Sequence, residues 1–338
     1  MTEDFYTWLK DSQSKLEEKQ ALLGFDGFID IPISIPEMPT MKRLSDYLAE
    51  RDGRSGAFEI NESTPKIGGN MPITANALGN LGLKNICIGA IDSPLFANMS
   101  KNCKLYPIAS PGKCYAIEFE SGKLMLANSK PVHDINYKFL SDKMPKLSSL
   151  YDNANIWCYL NWSEVPGLTD ILKGLLENIF PNMQKKPRIA IFDLADFTMC
   201  DKNKLFEALE VMASFNKYAE TLLTLNENEA GLLLKNGETL IELYKRLGFD
   251  NLIVRKNKTA YAISKNESIE INTKYVEKPK LMTGAGDNFN AGITAALAMD
   301  GCLKYALTLG TFVSSFYIAN GYSPSFNEIL EEAANELN

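Results

Sequence analysis

The sequence predicts an α/β fold with parallel strands covered by helices on both faces. From about residue 155 onward, short apolar runs alternate with longer segments of helical periodicity. The apolar runs are residues 156–160, 188–192, 221–225 and 252–255, and the helical segments between them are residues 168–179, 202–215 and 227–235. This alternation is typical of a mostly parallel sheet, because the connection between neighbouring parallel strands usually carries a helix that packs on the sheet.

The pattern continues towards both ends of the chain. Before residue 155 we expect a helix over residues 5–20, a strand over 21–25, a helix over 72–81 and a strand over 85–91. At the C-terminal end, the segments 287–298, 303–319 and 326–336 have helical patterns. No internal repeat or low-complexity linker divides the chain, so we expect residues 1–338 to form a single domain.

Two stretches do not follow the alternation. They span about residues 31–66, which are rich in proline and polar residues, and about residues 104–130. In the second stretch, apolar runs at 115–119 and 123–126 flank Glu120-Ser121-Gly122, which is typical of a β-hairpin. We expect both stretches to build a small β-sheet lid over a site at the carboxyl ends of the parallel strands, where open α/β sheets bind ligands.

The composition restricts the classes of function. Of the 338 residues 45% are hydrophobic, and 35 Lys and Arg stand against 42 Asp and Glu, a net charge of −7. A broad basic surface for nucleic acids is therefore not expected, and no apolar run approaches the ~20 residues of a membrane span. The six cysteines lack CxxC spacing and the N-terminal residues lack the pattern of a signal peptide. We therefore expect a cytoplasmic protein without nucleic-acid or membrane partners.

The chain has a single histidine, His133. Most metal sites with several histidines are thereby excluded, and a Ser/His/Asp system would have to use this one residue. We therefore expect any acid–base chemistry to depend on carboxylates.

The most informative motif is residues 283–289, TGAGDNF, directly before a predicted helix. Main-chain N–H groups at such a helix start converge on an anion, and the small side chains let a phosphate approach the backbone. Asp287, in the first turn, would accept a proton from an attacking hydroxyl in phosphoryl transfer. The alternative is that Asp287 only complements the helix dipole while the glycines form a tight turn. A Rossmann motif is excluded because Phe289 occupies the place of its third glycine, and no P-loop pattern occurs.

Four motifs together resemble a known family. Residues 284–292, GAGDNFNAG, resemble the C-terminal signature D-T-x-G-A-G-D-x-F-x-x-G of the ribokinase-like (PfkB-type) carbohydrate kinases. The pair at residues 68–69 resembles the family's N-terminal glycine-pair motif, residues 26–30 (DGFID) resemble its substrate-binding entry, and residues 226–229 (NENE) match its N-x-x-E. The resemblance implies a ribokinase-like three-layer α/β/α domain with a mostly parallel central sheet and a small β-sheet lid.

The resemblance also implies catalytic roles. Asp287 would be the general base that takes the proton from a sugar hydroxyl. The main-chain amides of Gly284, Ala285 and Gly286 would form the anion hole for the transferred phosphate.

On the substrate side, the resemblance assigns Asp30 to the hydroxyl groups of the sugar. Asp26 lies nearby and would share that task, or would be a solvated carboxylate at the end of a strand. The resemblance also implies that the remaining candidates belong to the same substrate pocket, namely Gly68, Gly69, Asn70 and Asn161. The glycine pair has an alternative reading as an ordinary turn between a strand and a helix.

On the nucleotide side, Asn226 and Glu229 would act near the triphosphate and Mg²⁺, with the metal held through water rather than directly. Their alternative role is a helix capping box, which explains an Asn followed by a Glu three residues later. Thr283 is placed with the nucleotide as well.

The motifs depart from the family in three places. The leading Asp-Thr pair of the C-terminal signature falls on Leu281 and Met282, and in relatives that Asp helps to hold a monovalent cation. We therefore expect weak or no activation by K⁺. The asparagine that often ends the glycine-pair motif falls on Ile73, and residues 254–259 lack the glycines of the family's nucleotide-binding loop.

These observations predict an ATP- and Mg²⁺-dependent kinase that phosphorylates a hydroxyl, most simply a hydroxymethyl group, of a small sugar. A nucleoside kinase and a non-catalytic sugar- or nucleotide-binding relative are the alternatives. A homodimer formed through the lid is compatible with the sequence, because a small open sheet has an edge and a face to cover.

Overall fold

The computed structural model describes residues 2–120 and 122–337. Its strands, in chain order, are Gln20–Phe25 (β1), Phe28–Ser34 (β2), Asn61–Glu62 (β3), Lys66–Gly68 (β4), Lys84–Gly89 (β5), Cys103–Pro107 (β6), Gly112–Phe119 (β7), Gly122–Asn128 (β8), Ile156–Tyr159 (β9), Ile189–Asp193 (β10), Glu220–Asn226 (β11), Asn251–Arg255 (β12), Thr259–Ser264 (β13) and Ser268–Asn272 (β14).

The helices are Glu3–Ser12 (α1), Lys15–Glu18 (α2), Met41–Glu50 (α3), Asn70–Asn80 (α4), Lys130–His133 (α5), Tyr137–Lys143 (α6), Leu147–Asn153 (α7), Leu168–Asn178 (α8), Lys202–Ala213 (α9), Glu227–Leu233 (α10), Leu240–Leu247 (α11), Ala285–Ala298 (α12), Leu303–Asn320 (α13) and Phe326–Asn335 (α14). The single helix expected over residues 5–20 is thus divided between α1 and α2.

The strands of the described residues form a nine-stranded central sheet and a five-stranded small sheet. The order in the central sheet is β14-β13-β12-β11-β10-β9-β1-β5-β6. Seven neighbouring strands of this order, from β12 through β11, β10, β9, β1 and β5 to β6, are parallel to one another. Strands β13 and β14 extend the sheet beyond β12, each antiparallel to its neighbour. The predicted mostly parallel sheet is confirmed.

The central sheet has an apolar core on each face. Alternate residues of a strand point to opposite faces, so that Leu22 packs in one core while Leu23 packs in the other. The first core is rich in aromatic rings, with Trp157 and Phe180 stacked at 4.5 Å between centroids. The second core buries the apolar sides of α4, α12 and α13. Helices on both faces give the three-layer α/β/α architecture that the resemblance implies.

The small sheet consists of β3-β2-β7-β8, and β4 pairs with the first residues of β2, on the edge that β3 also occupies. Its strand β2 follows β1 after only Asp26 and Gly27, so the two sheets are joined directly beside the carboxyl end of β1. Ile31, Ile33 and Leu44 form a third apolar cluster, in which α3 covers one face of the small sheet. Ser121, in the expected hairpin turn between β7 and β8, lies outside the described residues.

The predicted boundaries of the lid are wrong in one respect. Residues 104–107 were expected in the small sheet, but they belong to β6, which pairs in parallel with β5 at the edge of the central sheet. The half-buried side chains of Cys103 and Leu105 pack against the core beneath α4, which explains why this strand joins the larger sheet. In addition, the stretch 31–66 contains a regular helix, α3.

Within residues 2–120 and 122–337, no helix has the length and apolar character needed to cross a membrane.

Candidate active site

The polar residues singled out by the sequence converge at one edge of the central sheet. Asp26 follows β1, Asn161 follows β9, and Asn226 ends β11, so all three lie at carboxyl ends of parallel strands. The N-terminus of α12, with Asp287, faces the same edge. Carboxyl ends of parallel strands share one edge of a sheet, which is why residues distant in sequence meet here.

The turn that begins α12 requires a glycine. Gly284 has φ +90°, and a Cβ atom placed there would lie 2.7 Å from the hydroxyl oxygen of Tyr317. The Ala285 N–H donates to the carbonyl of Met282 at 3.1 Å, so the turn itself uses this amide. Among the described residues, the amides of Gly284 and Gly286 have no such partner. Of the three amides predicted for the anion hole, the Ala285 amide is thus already used in the turn, and the two glycine amides have no acceptor within the described part of the protein.

Three side chains fix the carbonyl groups of residues 283–285. The Tyr317 hydroxyl donates to the first carbonyl at 2.8 Å, Asn288 Nδ2 to the second at 2.9 Å, and the Ser314 hydroxyl to the third at 2.8 Å. We call Tyr317, Asn288 and Ser314 the carbonyl clamp. Because the peptide plane is rigid, a fixed carbonyl also fixes the direction of the following N–H. The sequence pattern predicts only a helix over residues 303–319 here, and it does not indicate this role.

Asp287 is buried next to the glycine turn, with 8% of its surface exposed. Burial raises its pKa well above the usual value, and the nearby charges of Asp193 and Asp26 raise it further. The positive charge of Arg255 acts in the opposite direction. A carboxyl group held in this way binds a proton more readily than a solvated one, which suits a general base for a hydroxyl.

Asp26 is fully buried, and its carboxylate accepts three hydrogen bonds. The donors are the backbone N–H groups of Asn70 at 2.8 Å and Met71 at 2.9 Å, and Asn161 Nδ2 at 2.8 Å. Burial raises its pKa to about 6. The carboxylate also lies against Gly69, where φ is +93° and a Cβ would approach it to 2.9 Å. These contacts favour a role for Asp26 in positioning the glycine pair over direct binding of substrate.

Asn161 has a strained backbone and an unused acceptor. Its φ of 62° and ψ of 50° lie in the left-handed region, which is uncommon for a residue other than glycine. While Nδ2 is bonded to Asp26, the buried Oδ1 has no hydrogen-bond partner among the described residues. A buried acceptor without a donor is costly, so a donor group from a ligand would be stabilised here.

Asp30 lies on β2, where the small sheet faces the central sheet. Its side chain is largely desolvated, which raises its pKa to about 6, while the charge of Lys123 lowers it. A Cβ added to Gly68 would come within 2.3 Å of Asp30 Oδ1. The first glycine of the pair is therefore needed to leave room for the Asp30 carboxylate.

A cavity of about 140 Å³ lies between α12 and the ends of β10 to β12. Its walls include Asp287, Asp193 and Glu229. Asp193 was not predicted as a site residue; it accepts hydrogen bonds from Asn290 Nδ2 at 2.8 Å and the Ala195 N–H at 2.9 Å. Its only signal in the sequence is a carboxylate directly after a buried strand.

Asn226 and Glu229 form the capping box that was the alternative explanation for them. The Glu229 carboxylate accepts from the Asn226 N–H at 2.8 Å, and the Glu229 N–H donates to Asn226 Oδ1 at 2.9 Å. Glu229 nevertheless also faces the cavity, and burial together with the charge of Asp193 raises its pKa to about 8. Capping therefore does not exclude a role in the site.

The carboxylates around this cavity fit a hard cation such as Mg²⁺. In the described chain, no group of three or more His, Cys, Asp or Glu side chains is arranged to hold a metal ion by itself. Burial raises the pKa values of both Asp193 and Glu229, and the negative charge of Asp193 raises that of Glu229 further. Oxygen donors suit Mg²⁺, which keeps several waters and is completed by substrate phosphates. The donor set therefore fits Mg²⁺ that arrives with a nucleotide.

A second cavity, of about 330 Å³, adjoins the first and lies between the β12–β13 loop and α13. Lys256, Tyr275 and Ile318 are part of its wall. Thr283 is exposed beside it, at the entrance to the glycine turn. A larger groove of about 900 Å³ runs past Asn155 and Glu220 at the amino ends of the strands, far from the carboxylates.

A three-layer fold in which a glycine turn and a buried carboxylate face a small sheet defines a ribokinase-like carbohydrate kinase. The family model described as prokaryotic ketohexokinase matches residues 9–335, and the chain belongs to this family. A ketohexokinase from Haloferax volcanii is 23% identical over 96% of this chain and 93% of its own length.

Solved structures agree with this assignment of the fold. A ribokinase from Thermotoga maritima superposes with a TM-score of 0.69 and 19% identity, covering 94% of this chain and 99% of that one. An Arabidopsis thaliana ribokinase complexed with ribose and ATP gives 0.67 and 16% identity, covering 93% of this chain and 97% of that one. The ribokinase-like fold and the class of enzyme, a carbohydrate kinase, are thus confirmed.

Proposed function

We propose that this kinase transfers the γ-phosphoryl group of ATP to a hydroxymethyl oxygen of a ketohexose. The observation that carries the proposal is the buried Asp287 beside the two glycine amides at the start of α12. The family and the Haloferax relative support a ketohexose as the sugar, and the ATP-bound Arabidopsis structure supports ATP as the donor.

In the proposed reaction the sugar hydroxyl attacks the γ-phosphorus. An oxygen–phosphorus bond forms, and the bond between the γ-phosphorus and its bridging oxygen breaks with its electron pair going to ADP. Asp287 takes the proton of the hydroxyl. The N–H groups of Gly284 and Gly286 stabilise the negative charge on the transferred group, because preorganised donors in a desolvated site need no reorientation during the reaction.

On the substrate side, we assign direct contacts to Asp30 and Asn161. The Asp30 carboxylate would accept hydrogen bonds from two sugar hydroxyls, and Asn161 Oδ1 would accept another. Gly68 and Gly69 let the backbone near Asn70 approach the sugar. Asp26 holds this turn in place. The small sheet would act as the lid of a single domain and keep water away, so that ATP is not hydrolysed instead.

On the nucleotide side, the triphosphate would lie across the 140 Å³ and 330 Å³ cavities, close to Thr283. Asn226, Glu229 and Asp193 would hold Mg²⁺ mainly through water. When bound, the metal neutralises phosphate charge. Leu281 offers no carboxylate for a monovalent cation, and we propose that adding K⁺ to a K⁺-free assay leaves the rate nearly unchanged.

Two alternatives from the sequence are less well supported. The family match favours a sugar over a nucleoside. The intact glycine turn with Asp287 favours an enzyme over a binding protein without activity. An assay of ADP release against ketohexoses, aldoses and nucleosides separates them, and we expect turnover with ketohexoses.

The variant Asp287→Asn tests the catalytic assignment directly. We expect kcat to fall by about 10²–10⁴-fold, the usual contribution of a general base. The thermal midpoint should not decrease, because the amide removes a buried negative charge that is repelled by Asp193 and Asp26. Asp142→Asn, at an exposed carboxylate paired with Lys138, is the control and should behave like the wild type. A kcat close to that of the wild type in Asp287→Asn would refute the assignment.

A further inference from the structure

Arg255 ends β12, where this chain departs from the glycine-containing loop of its relatives. Its side chain contributes to the wall of both the 140 Å³ and the 330 Å³ cavity. A Cβ atom placed on Gly286 would lie 3.4 Å from Arg255 Nη2, so the guanidinium is beside the glycine turn. It therefore lies between the nucleotide cavity and the general base.

The guanidinium of Arg255 is held in place although its N–H groups donate no hydrogen bond to a carboxylate of the described residues. It stacks over Phe289, with 5.6 Å between Cζ and the ring centroid. In the described part of the chain, Arg188 pairs with Asp152 and Arg246 with Glu238, whereas Arg255 makes no ion pair within 4.0 Å. Asp287, Asp193 and Glu229 act on it only through their charge. Its N–H groups are thus available to a ligand.

The electrostatic balance of the cavity shows which ligand suits these donors. A triphosphate that enters this cavity brings negative charge next to three carboxylates, and among the described residues the arginine is the positive group that lines the same space. A planar guanidinium donates two parallel hydrogen bonds to phosphate oxygens, and charged hydrogen bonds are stronger in a desolvated site.

We propose that Arg255 is a further catalytic residue, which binds the γ-phosphate of the nucleotide and stabilises the phosphoryl group during its transfer. This inference rests on the proposed function, because it takes the γ-phosphate as the transferred group. Oxygen–phosphorus bond formation and cleavage proceed as described above. Arg255 takes part in no covalent bond formation or cleavage. It donates hydrogen bonds to the non-bridging oxygens of the transferred phosphoryl group.

Arg255→Met is the test, since methionine keeps a long side chain over Phe289 but removes the charge. The first readout is affinity, measured by calorimetry with Mg²⁺ and either a non-hydrolysable ATP analogue or ADP. We expect the affinity for the analogue to fall by about tenfold or more, the value of a hydrogen bond to a charged group. The affinity for ADP, which lacks the γ-phosphate, should change less than about twofold.

The second readout is steady-state kinetics with the best ketohexose. We expect kcat to fall by about 10²–10³-fold, as for loss of one donor to the transition state, with the sugar KM nearly unchanged. Arg255→Lys keeps the charge and should lose about tenfold in kcat, because one ammonium does not reproduce the planar fork. If the methionine variant does not fold, the kcat of the lysine variant provides the test.

Arg246→Met is the matched control, because this half-buried arginine pairs with Glu238 outside the site. It should lower the thermal midpoint without changing the kinetics or the affinities. If Arg255→Met behaves like this control, or loses ATP analogue and ADP affinity equally, Arg255 only balances the carboxylates and the proposal is overturned. If the wild type binds the analogue but phosphorylates no sugar, the proposed function fails, while the contrast between analogue and ADP still decides the role of Arg255.

Discussion

Two carboxyl groups of the site have the same shifted pKa but different surroundings. Burial raises the pKa of both Asp26 and Asp30 to about 6. Asp26 is fully buried and accepts three hydrogen bonds within the protein. Asp30 is only half-buried, and its carboxylate lies against Gly68 on the small sheet. A partly desolvated carboxylate with unused acceptor sites binds hydroxyl donors more strongly than a fully solvated one, because less water competes for it. Asp30 is therefore the group whose ionisation should control binding of the sugar.

The pH dependence of sugar binding follows from this assignment. The charged form of Asp30 accepts the sugar hydroxyls, and it is lost as the pH falls through about 6 instead of through the usual 3.8. With ATP saturating, the reciprocal of the sugar KM should fall about tenfold per pH unit below that value, whereas kcat also depends on the ionisation of the general base Asp287. Rates measured from about pH 5 to pH 8 test this.

The control is Asp30→Asn, which should raise the sugar KM at neutral pH and remove the dependence of KM on a group near pH 6. Asp26, with its similar pKa, is intact in this variant. If the variant keeps the same acidic limb in KM, Asp30 is not the titrating group.

Sequence motifs predicted the residues whose function depends on local geometry. Asp287 and the glycines of its turn were found because the anion hole is built from consecutive residues. Asp193 and Arg255 were not found, since each lies at the end of its own strand and meets the site only through the order of the sheet. A carboxylate that follows a buried strand is also only a weak indication of a site residue. Asp196 lies three residues after Asp193, yet it is not part of the cavity wall and accepts a hydrogen bond from the Thr198 N–H.

At the scale of elements, the start of α12 is held by its neighbour α13. Two members of the carbonyl clamp, Ser314 and Tyr317, belong to α13 and reach residues 29 and 34 positions earlier in the chain. The amides that would bind the phosphate are thus oriented by helix packing and not by the turn alone. Packing of this kind is decided by tertiary contacts, which explains why the sequence pattern did not reveal it.

Tyr317→Phe tests whether the clamp orients the anion hole. The variant removes only the hydroxyl that bonds to the Thr283 carbonyl, and we expect kcat to fall about tenfold with the sugar KM unchanged. The free energy of unfolding should fall by about 1 kcal/mol, the usual value of one hydrogen bond. Steady-state kinetics and urea denaturation measure the two effects.

Thr294→Val is the control for this variant. Its hydroxyl is buried in α12 and donates to the carbonyl of Asn290 at 2.7 Å, one turn back along the helix. It should cost similar stability and leave kcat unchanged. An equal loss of kcat in both variants would mean that the helix pair, and not the clamp, determines the rate.

The alternation of strands and helices after residue 155 was predictable because buried parallel strands are continuous apolar runs. Strand β6 was misassigned since it lies at the edge of the central sheet, where half-buried side chains give a weak pattern. The antiparallel strands β13 and β14 and the short helices α5 to α7 were not expected at all. Strand β14 alternates polar and apolar residues over only five positions, and α5 to α7 have four to seven residues each, so that each pattern is too short to stand out.

At the scale of the whole molecule, the small sheet leaves an apolar edge in solvent. Every residue of β8 is exposed, including Leu124 at 40%, Met125 at 45% and Leu126 at 51%. An edge strand with unpaired backbone groups and apolar side chains tends to pair with another chain. We therefore propose that two copies of this protein associate through β8, which would also cover the outside of the lid.

This association is tested by the mass of the protein in solution. We expect light scattering to give twice the mass of one chain for the wild type, and the mass of one chain for the double variant Leu124→Lys, Leu126→Lys. Two buried ammonium groups at the edge of each copy would cost more than such a small interface provides. Ile241→Lys, at an equally exposed apolar residue on α11, is the control and should remain dimeric. A wild type that is monomeric, or a double variant that stays dimeric, would show that β8 is not the contact between copies.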